Sequence, residues 1–292
     1  MRFALSTEQV EFGASLHGSL AAGRLDLPEL GVTALAVPER LGGVAADAVD
    51  LVVAFEELGH HAVPGPLVES VVVVPTLLAD VGEDRWLPEL ATGKLTASVA
   101  IPPHVPHAHE AELYFLLDGE ALRSAEAVAE LTSVDPTRRL VDLVGGPVLG
   151  TTARAARAFD LGVLACAAQL LGLGRAMLEM ATAHARQRTQ FGRPIGGFQA
   201  VKHQLADVLI GLELARPLVH GAAVTLTGRD VSAAKVAAGD AAYRAARTAL
   251  QVHGAIGYTA EHDLSRWLAK TRALVGAWGT PSTHRDRVLE AL

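Results

Sequence analysis

From Leu161 to Arg186 the chain is apolar on nearly every helical face. A helix without a polar side has to be wrapped by other elements, so this segment must be the centre of a packed helical assembly. Gly172 and Gly174 within it permit close helix contact, and Arg175 and Glu179 form a polar pair spaced i,i+4. A turn rich in glycine follows, and then Phe198 to Thr227 carries Val201, Leu205, Val208, Leu209 and Leu212 on one stripe. Val231 to His253 predicts a third helix, ended by Gly254-Ala-Ile-Gly257, and Leu264 to Val275 a fourth. Four long helices with short links make an up-and-down bundle, expected over residues 149–292.

The rest of the chain divides into two further regions. Residues 1–93 read as a helical domain: Ser6 caps an amphipathic segment, and Asp47 to His60 is a strong helix with Val49, Val52, Val53, Phe55 and Leu58 on its apolar side. Leu67 to Ala79 and Asp84 to Ala91 continue the helical pattern, although the valine run at 71–74 opposes it. Residues 94–148 differ. Leu95–Ile101, Glu112–Leu117 and Arg139–Val144 are short, rich in β-formers and separated by turn residues, which predicts a small antiparallel β subdomain.

Composition narrows the function. The formal charge of −7 argues against non-specific nucleic-acid binding, which needs clustered Lys and Arg to neutralise phosphates. No uninterrupted apolar run reaches the ~18 residues of a membrane span, and the N-terminus, Met1-Arg-Phe-Ala-Leu-Ser, lacks the pattern of a secretory leader. One cysteine, Cys166, excludes an intrachain disulfide and fits a reducing cytoplasm. His104, His107 and His109 sit in a proline-rich stretch that reads as a solvated loop, and no metal site is assigned. His60-His61 ends a helix, where imidazolium complements the dipole.

The chemistry-bearing segment is Arg186-Gln-Arg-Thr-Gln-Phe-Gly-Arg-Pro-Ile-Gly-Gly-Phe-Gln199, together with Gln251-Val-His-Gly-Ala-Ile-Gly-Tyr258. Taken alone, Arg186, Arg188 and Arg193 are helix-terminal arginines facing solvent. Both motifs, along with Leu58-Gly-His and Ala62-Val-Pro-Gly-Pro-Leu-Val-Glu69, resemble the flavin-dependent acyl-CoA dehydrogenases. The resemblance implies a mainly α fold: an N-terminal helical domain, a reduced middle β subdomain and a C-terminal four-helix bundle. It implies that Arg188, supported by Gln190, Phe191 and Gln199, contacts the pyrophosphate of FAD shared with a neighbouring subunit. Gln251, Gly254 and Ala255 would hold the adenosine side. A guanidinium pairs bidentately with phosphate oxygens, which makes the assignment chemically sound.

Two departures from the family pattern matter as much. The family's base is a glutamate in a turn that aligns with Ala277-Trp278-Gly279-Thr280, and tryptophan cannot accept a proton. The alternative base position, on the first bundle helix, falls at Gly162 and Val163. The family's flavin-ring loops also have no match. A chain with the pyrophosphate grip and no base resembles the shortened, non-catalytic subunit of heteromeric acyl-CoA dehydrogenases of actinobacterial sterol catabolism. Its implied partner is a catalytic acyl-CoA dehydrogenase subunit, in a heterotetramer that oxidises a steroid or other bulky acyl-CoA. Two other readings stay open: a flavin-free homo-oligomeric scaffold on this fold, and a diverged acyl-thioester enzyme.

Overall fold

The computed structural model describes residues 4–259 and 261–292; Met1–Phe3 of the segment read above for a leader lie outside them. Two helices, α1 (Thr7–Ala21) and α2 (Ala48–His60), start at capping boxes built on Ser6 and Asp47. Then the valine run intervenes. Val68–Val73 is wound as a π-helix, and regular winding resumes in α3 (Val74–Val81), with Pro75 in its first turn. β-Branched side chains crowd an α-turn, and the wider π-turn gives four consecutive valines room to be buried. A short α4 (Leu87–Ala91) closes this region.

Five strands follow: β1 (Ala97–Ala100), β2 (Ala108–His109), β3 (Leu113–Asp118), β4 (Ala121–Leu131) and β5 (Leu140–Thr151), in the order β1-β3-β4-β5-β2. The sheet is mixed, against the antiparallel expectation: β1 runs parallel to β3, with Ala97 opposite Leu113. The long β4 departs from its sequence, which is rich in alanine and glutamate. It is held by pairing to β3 on one side and to β5 on the other. Nor is the histidine loop solvated throughout, because His109 is buried on β2 and accepts a place beside Ser98, whose Oγ takes its backbone N–H at 2.9 Å.

The helical remainder comprises α5 (Ala155–Gln187), α6 (Gln199–Thr225), α7 (Gly228–His253) and α8 (Leu264–Gly276), plus a fifth helix that periodicity missed, α9 (Pro281–Glu290). Thr280 caps α9 and Pro281 opens it, a start signal at the sequence level; its polar composition hid the rest. Helix α5 is the axis, as its apolar surface requires. It and α6 are each long and apolar enough to cross a bilayer, but 89% of the apolar window of α5 is packed inside the protein. Against α5 lies α2, at a distance only glycine allows. A Cβ on Gly172 would fall 1.9 Å from Glu56 O, and one on Gly59 would fall 2.1 Å from Gln169 O.

Several polar side chains at this crossing pair between helices. Arg175 and Glu179 do not pair with one another. Arg175 Nη1 donates to Glu56 Oε1 (2.5 Å) and Glu57 Oε1 (3.0 Å), while Glu179 Oε2 lies 3.0 Å from His60 Nε2. Burial pushes the Glu56 carboxyl upward, but His220, Arg216 and Arg175 outweigh it and hold the pKa below the usual value.

Candidate cofactor surface and base positions

The turn from α8 to α9 is tied down by residues of α7 and α9. Lys235 Nζ, on α7, donates to Leu274 O (2.8 Å) and Val275 O (3.2 Å), capping the end of α8. His284 Nε2–H donates to Trp278 O (2.9 Å), and the ring's Nδ1 accepts from Ser232 Oγ (3.1 Å). Trp278 is held at φ 58° and Gly279 at φ 95°, a left-handed pair that is costly for a bulky residue. A Cβ at Gly279 would also meet His284 Nε2 at 2.7 Å.

The turn delivers the indole of Trp278 into the core, where it is 1% exposed. Its floor is Gly162 on α5. A Cβ there would sit 2.4 Å from Trp278 Cζ3. Phe159, one turn earlier, packs its ring 6.2 Å from the indole, and Val163 is fully buried alongside. Positions 278 and 162, two of the three at which a base was sought, therefore face one another, and an aromatic ring fills the space between them. The nearest cavity, bordered by Glu69, His109, Arg138, Lys270 and Trp278, has a volume of about 20 Å³. That is room for about one water, against the several hundred Å³ of a ligand pocket. Cys166, also in this core, is no nucleophile: burial raises its pKa, and the neighbouring Lys235 charge offsets this only in part.

The seven cofactor-binding candidates lie on the opposite kind of surface, an open one, where the only side-chain hydrogen bond among the described residues runs from Gln190 Nε2 to Thr189 O (2.8 Å). Arg188 is the residue that ends α5, accepting Ile195 N–H on its carbonyl (2.8 Å). Beyond it, β6 (Thr189–Gln190) and β7 (Arg193–Pro194) form a hairpin whose tip, Phe191-Gly192, has φ 53° and 78°. Phe191 is 91% exposed. Arg193 lies over the Phe198 ring at 4.1 Å, so this guanidinium has an aromatic partner. Arg188, Gln199 and Gln251 have no side-chain hydrogen bond or ion pair among the described residues.

The hairpin and the Gln251 turn are one surface because the ends of α5 and α7 are joined. His184 stacks on His253 with ring centroids 4.4 Å apart, and His253 Nδ1–H donates to Ala249 O at 2.7 Å. Gly254 then turns with φ 64° and ψ −139°, a conformation that glycine supplies at no steric cost, and exposes Ala255. Gln190, Phe191, Phe198, Gln204 and Gln251 border a groove of about 350 Å³. A second, of about 610 Å³, continues from Gln204 and Gln251 to Tyr243, Arg244 and Arg247. Gln199 opens α6 outside these walls, at a helix N-terminus that no side chain caps among the described residues.

Residues 150–292 match the family model for the acyl-CoA dehydrogenase C-terminal domain, and residues 24–94 match that for the N-terminal domain. The acyl-CoA dehydrogenase IpdE2 of Mycolicibacterium smegmatis is 33% identical over 270 residues, covering 91% of this chain and 86% of that protein. The chain belongs to the acyl-CoA dehydrogenase family. Its fold matches the ChsE4-ChsE5 complex from Mycobacterium tuberculosis with a TM-score of 0.86 at 23% identity, over 99% of this chain and 98% of that one. A glutaryl-CoA dehydrogenase from Mycobacterium smegmatis in complex with FADH2 matches with a TM-score of 0.84 at 16% identity, over 98% and 95% of the two chains.

Within an acyl-CoA dehydrogenase fold, then, this chain presents an exposed set of cofactor candidates, and an indole fills the space at the positions where a base was expected. The fit to FAD is split accordingly. Arg188 and the uncapped start of α6 suit an anion, whereas the core around Gly162 has no room for a reacting acyl group. Sequence patterns also missed the cluster of His17 with His60 and His61. The signal was there, a histidine doublet at a helix end, but its third member is more than forty residues away on α1.

Proposed function

We propose that the chain is the non-catalytic subunit of a heteromeric, FAD-dependent acyl-CoA dehydrogenase. In this reading Arg188, Gln190, Phe191 and Gln199 reach the pyrophosphate of an FAD seated mainly in a catalytic partner, and Gln251, Gly254 and Ala255 line its adenosine side. The carrying observation is the seating of Trp278 on Gly162, which leaves neither base position able to take a proton. FAD, when bound, would accept the hydride from the acyl thioester; the carboxylate base would come from the partner.

The exposed face of α6 supports a partner of the same fold. Leu209, Ile210, Leu214 and Leu218 are each between 48% and 67% exposed, and the last three line one open groove with α7. A run of apolar side chains of this kind on a long helix is characteristic of a surface covered by another subunit. The name of the ChsE4-ChsE5 complex supports a pairing of unlike chains, in a heterotetramer by this reading; a steroid or comparably bulky acyl-CoA is the proposed substrate. We place the assembly in the cytoplasm, in keeping with its single, buried thiol.

The test is turnover. The purified chain alone should reduce no artificial electron acceptor with straight-chain or steroid acyl-CoA substrates, and should do so only with its catalytic partner. Robust turnover by the isolated chain would show that a base exists elsewhere and that the reading is wrong.

A further inference from the structure

Away from the cofactor surface, α1 and the last turn of α2 bring four potential metal ligands together. One ligand atom from each of His17, Glu57, His60 and His61 lies within 4.8 Å of the others. The three imidazoles form a nearly regular propeller. Their ring centroids are 5.0, 4.8 and 4.9 Å apart and their interplanar angles are 62°, 56° and 62°. Three imidazoles bound to one tetrahedral ion, with metal–nitrogen bonds of about 2.0–2.1 Å, would place their centroids at about 5 Å.

The hydrogen bonding of the cluster is one donor short. His17 Nδ1 lies 2.7 Å from Glu57 Oε2 and 3.3 Å from His61 Nε2. With a proton on His17 Nδ1, one hydrogen must serve both the carboxylate and the lone pair of His61. With the proton on His61 Nε2 instead, the bare Nδ1 of His17 faces a carboxylate oxygen. His60 adds a further unsatisfied atom: it is 8% exposed, and its Nδ1 has no partner among the described residues. A single cation satisfies all of these lone pairs together.

The surroundings are those of a held ligand set. Arg175 Nη1 donates to Glu57 Oε1 at 3.0 Å, which leaves Oε2 for the cluster. Glu179 Oε2 accepts from His60 Nε2 at 3.0 Å, an arrangement that fixes the tautomer with a bare Nδ1. The backbone of His60 is anchored as well, because Trp267 Nε1 donates to its carbonyl at 2.8 Å. His17 is 41% exposed in its side chain and gives an ion a route in from solvent.

We propose that His17, Glu57, His60 and His61 bind one divalent first-row transition-metal ion, zinc by donor set, which fastens α1 to the end of α2. Three imidazoles and one carboxylate complete a four-coordinate site, the closed form typical of structural zinc. Calcium and magnesium, which take oxygen ligands, are excluded by the three nitrogens. The site draws all four ligands from this chain.

The experiment uses the untagged full-length chain, stripped with chelator and titrated with Zn²⁺ alone while metal content is measured after dialysis. One zinc per chain is expected, with a rise in Tm. Co²⁺ in its place should give the intense visible bands of a tetrahedral centre. His61→Ala and His17→Asn should each abolish stoichiometric binding, whereas His107→Ala should not. Glu179→Gln, which alters only the group positioning His60, should weaken binding about tenfold to hundredfold. If the His61 variant misfolds, the Co²⁺ spectrum of the unaltered chain still decides. Absence of stoichiometric zinc, an octahedral Co²⁺ spectrum, or binding that survives both histidine substitutions would overturn the proposal.

Discussion

Trp278 rests on Gly162 so closely that a single methyl group at the glycine would lie 2.4 Å from the indole. The two residues are more than a hundred positions apart, yet each explains the other. A side chain at 162 would expel the indole, and loss of the indole would leave a cavity against α5. The pair occupies the place where an acyl-CoA dehydrogenase base is expected, so the substitution is built into the packing of the core.

Removal of the ring should therefore cost stability without conferring activity. Glycine is the informative replacement, because residue 278 has φ 58° and alanine would add backbone strain to the measured loss. Trp278→Gly should lower the unfolding free energy by about 3–5 kcal/mol, the usual range for truncating a buried aromatic residue. Urea denaturation measures it. Trp278→Glu should likewise lower Tm, by burying a carboxylate, and should give no dye reduction with acyl-CoA.

The crossing of α2 and α5 should tolerate no methyl group. At Gly172 the obstruction is backbone, Glu56 O at 1.9 Å, which cannot swing aside as a side chain could. Gly172→Ala should destabilise by at least about 3 kcal/mol, at the upper end of the usual overpacking cost, despite alanine's better helix propensity. Gly239→Ala on α7, where a Cβ meets nothing within 4 Å, should be neutral or stabilising in the same melting experiment.

Acid should loosen the turn that carries Trp278. His284 is fully buried, and burial lowers its pKa to about 4. An unfolded histidine titrates near about 6.5, so between pH 6.5 and 4 the unfolded chain binds a proton that the folded one refuses. This contribution is complete above pH 6.5 and is lost as pH falls toward 4, with a total on the order of 3 kcal/mol. Denaturation midpoints at neutral pH and near pH 4.5 should differ less in His284→Gln than in the parent chain.

Much of this architecture could be read from the sequence, for reasons tied to particular residues. The all-round apolar surface between Leu161 and Arg186 required a central helix, and Ser6 marked the start of α1 through its cap. The sequence misled where tertiary pairing overrode local preference: in β4, held between two strands, and in Arg175 and Glu179, which turned away from each other toward α2. At the candidate site, local motifs pointed to Arg188 and Gln251, and the absence of a carboxylate at 278 was plain. What no local pattern could reveal was that 278 and 162 face each other, or that His17 joins His60 and His61.

Arg188 should be the residue on which shared flavin binding depends. In a complex of this chain with its catalytic partner, Arg188→Ala should lower FAD affinity by about 1.5–3 kcal/mol, roughly tenfold to hundredfold, as expected for a lost hydrogen bond to a charged group. Arg186→Ala should change it little. Flavin fluorescence during dilution of the complex reports the difference.

The most direct measurement of the central claim is the ratio of flavin to protein chains, in the chain purified alone and in the complex co-expressed with its partner. The account predicts a colourless chain alone and a yellow complex holding fewer flavins than chains. A homo-oligomer of this chain carrying one tightly bound FAD per subunit would contradict it.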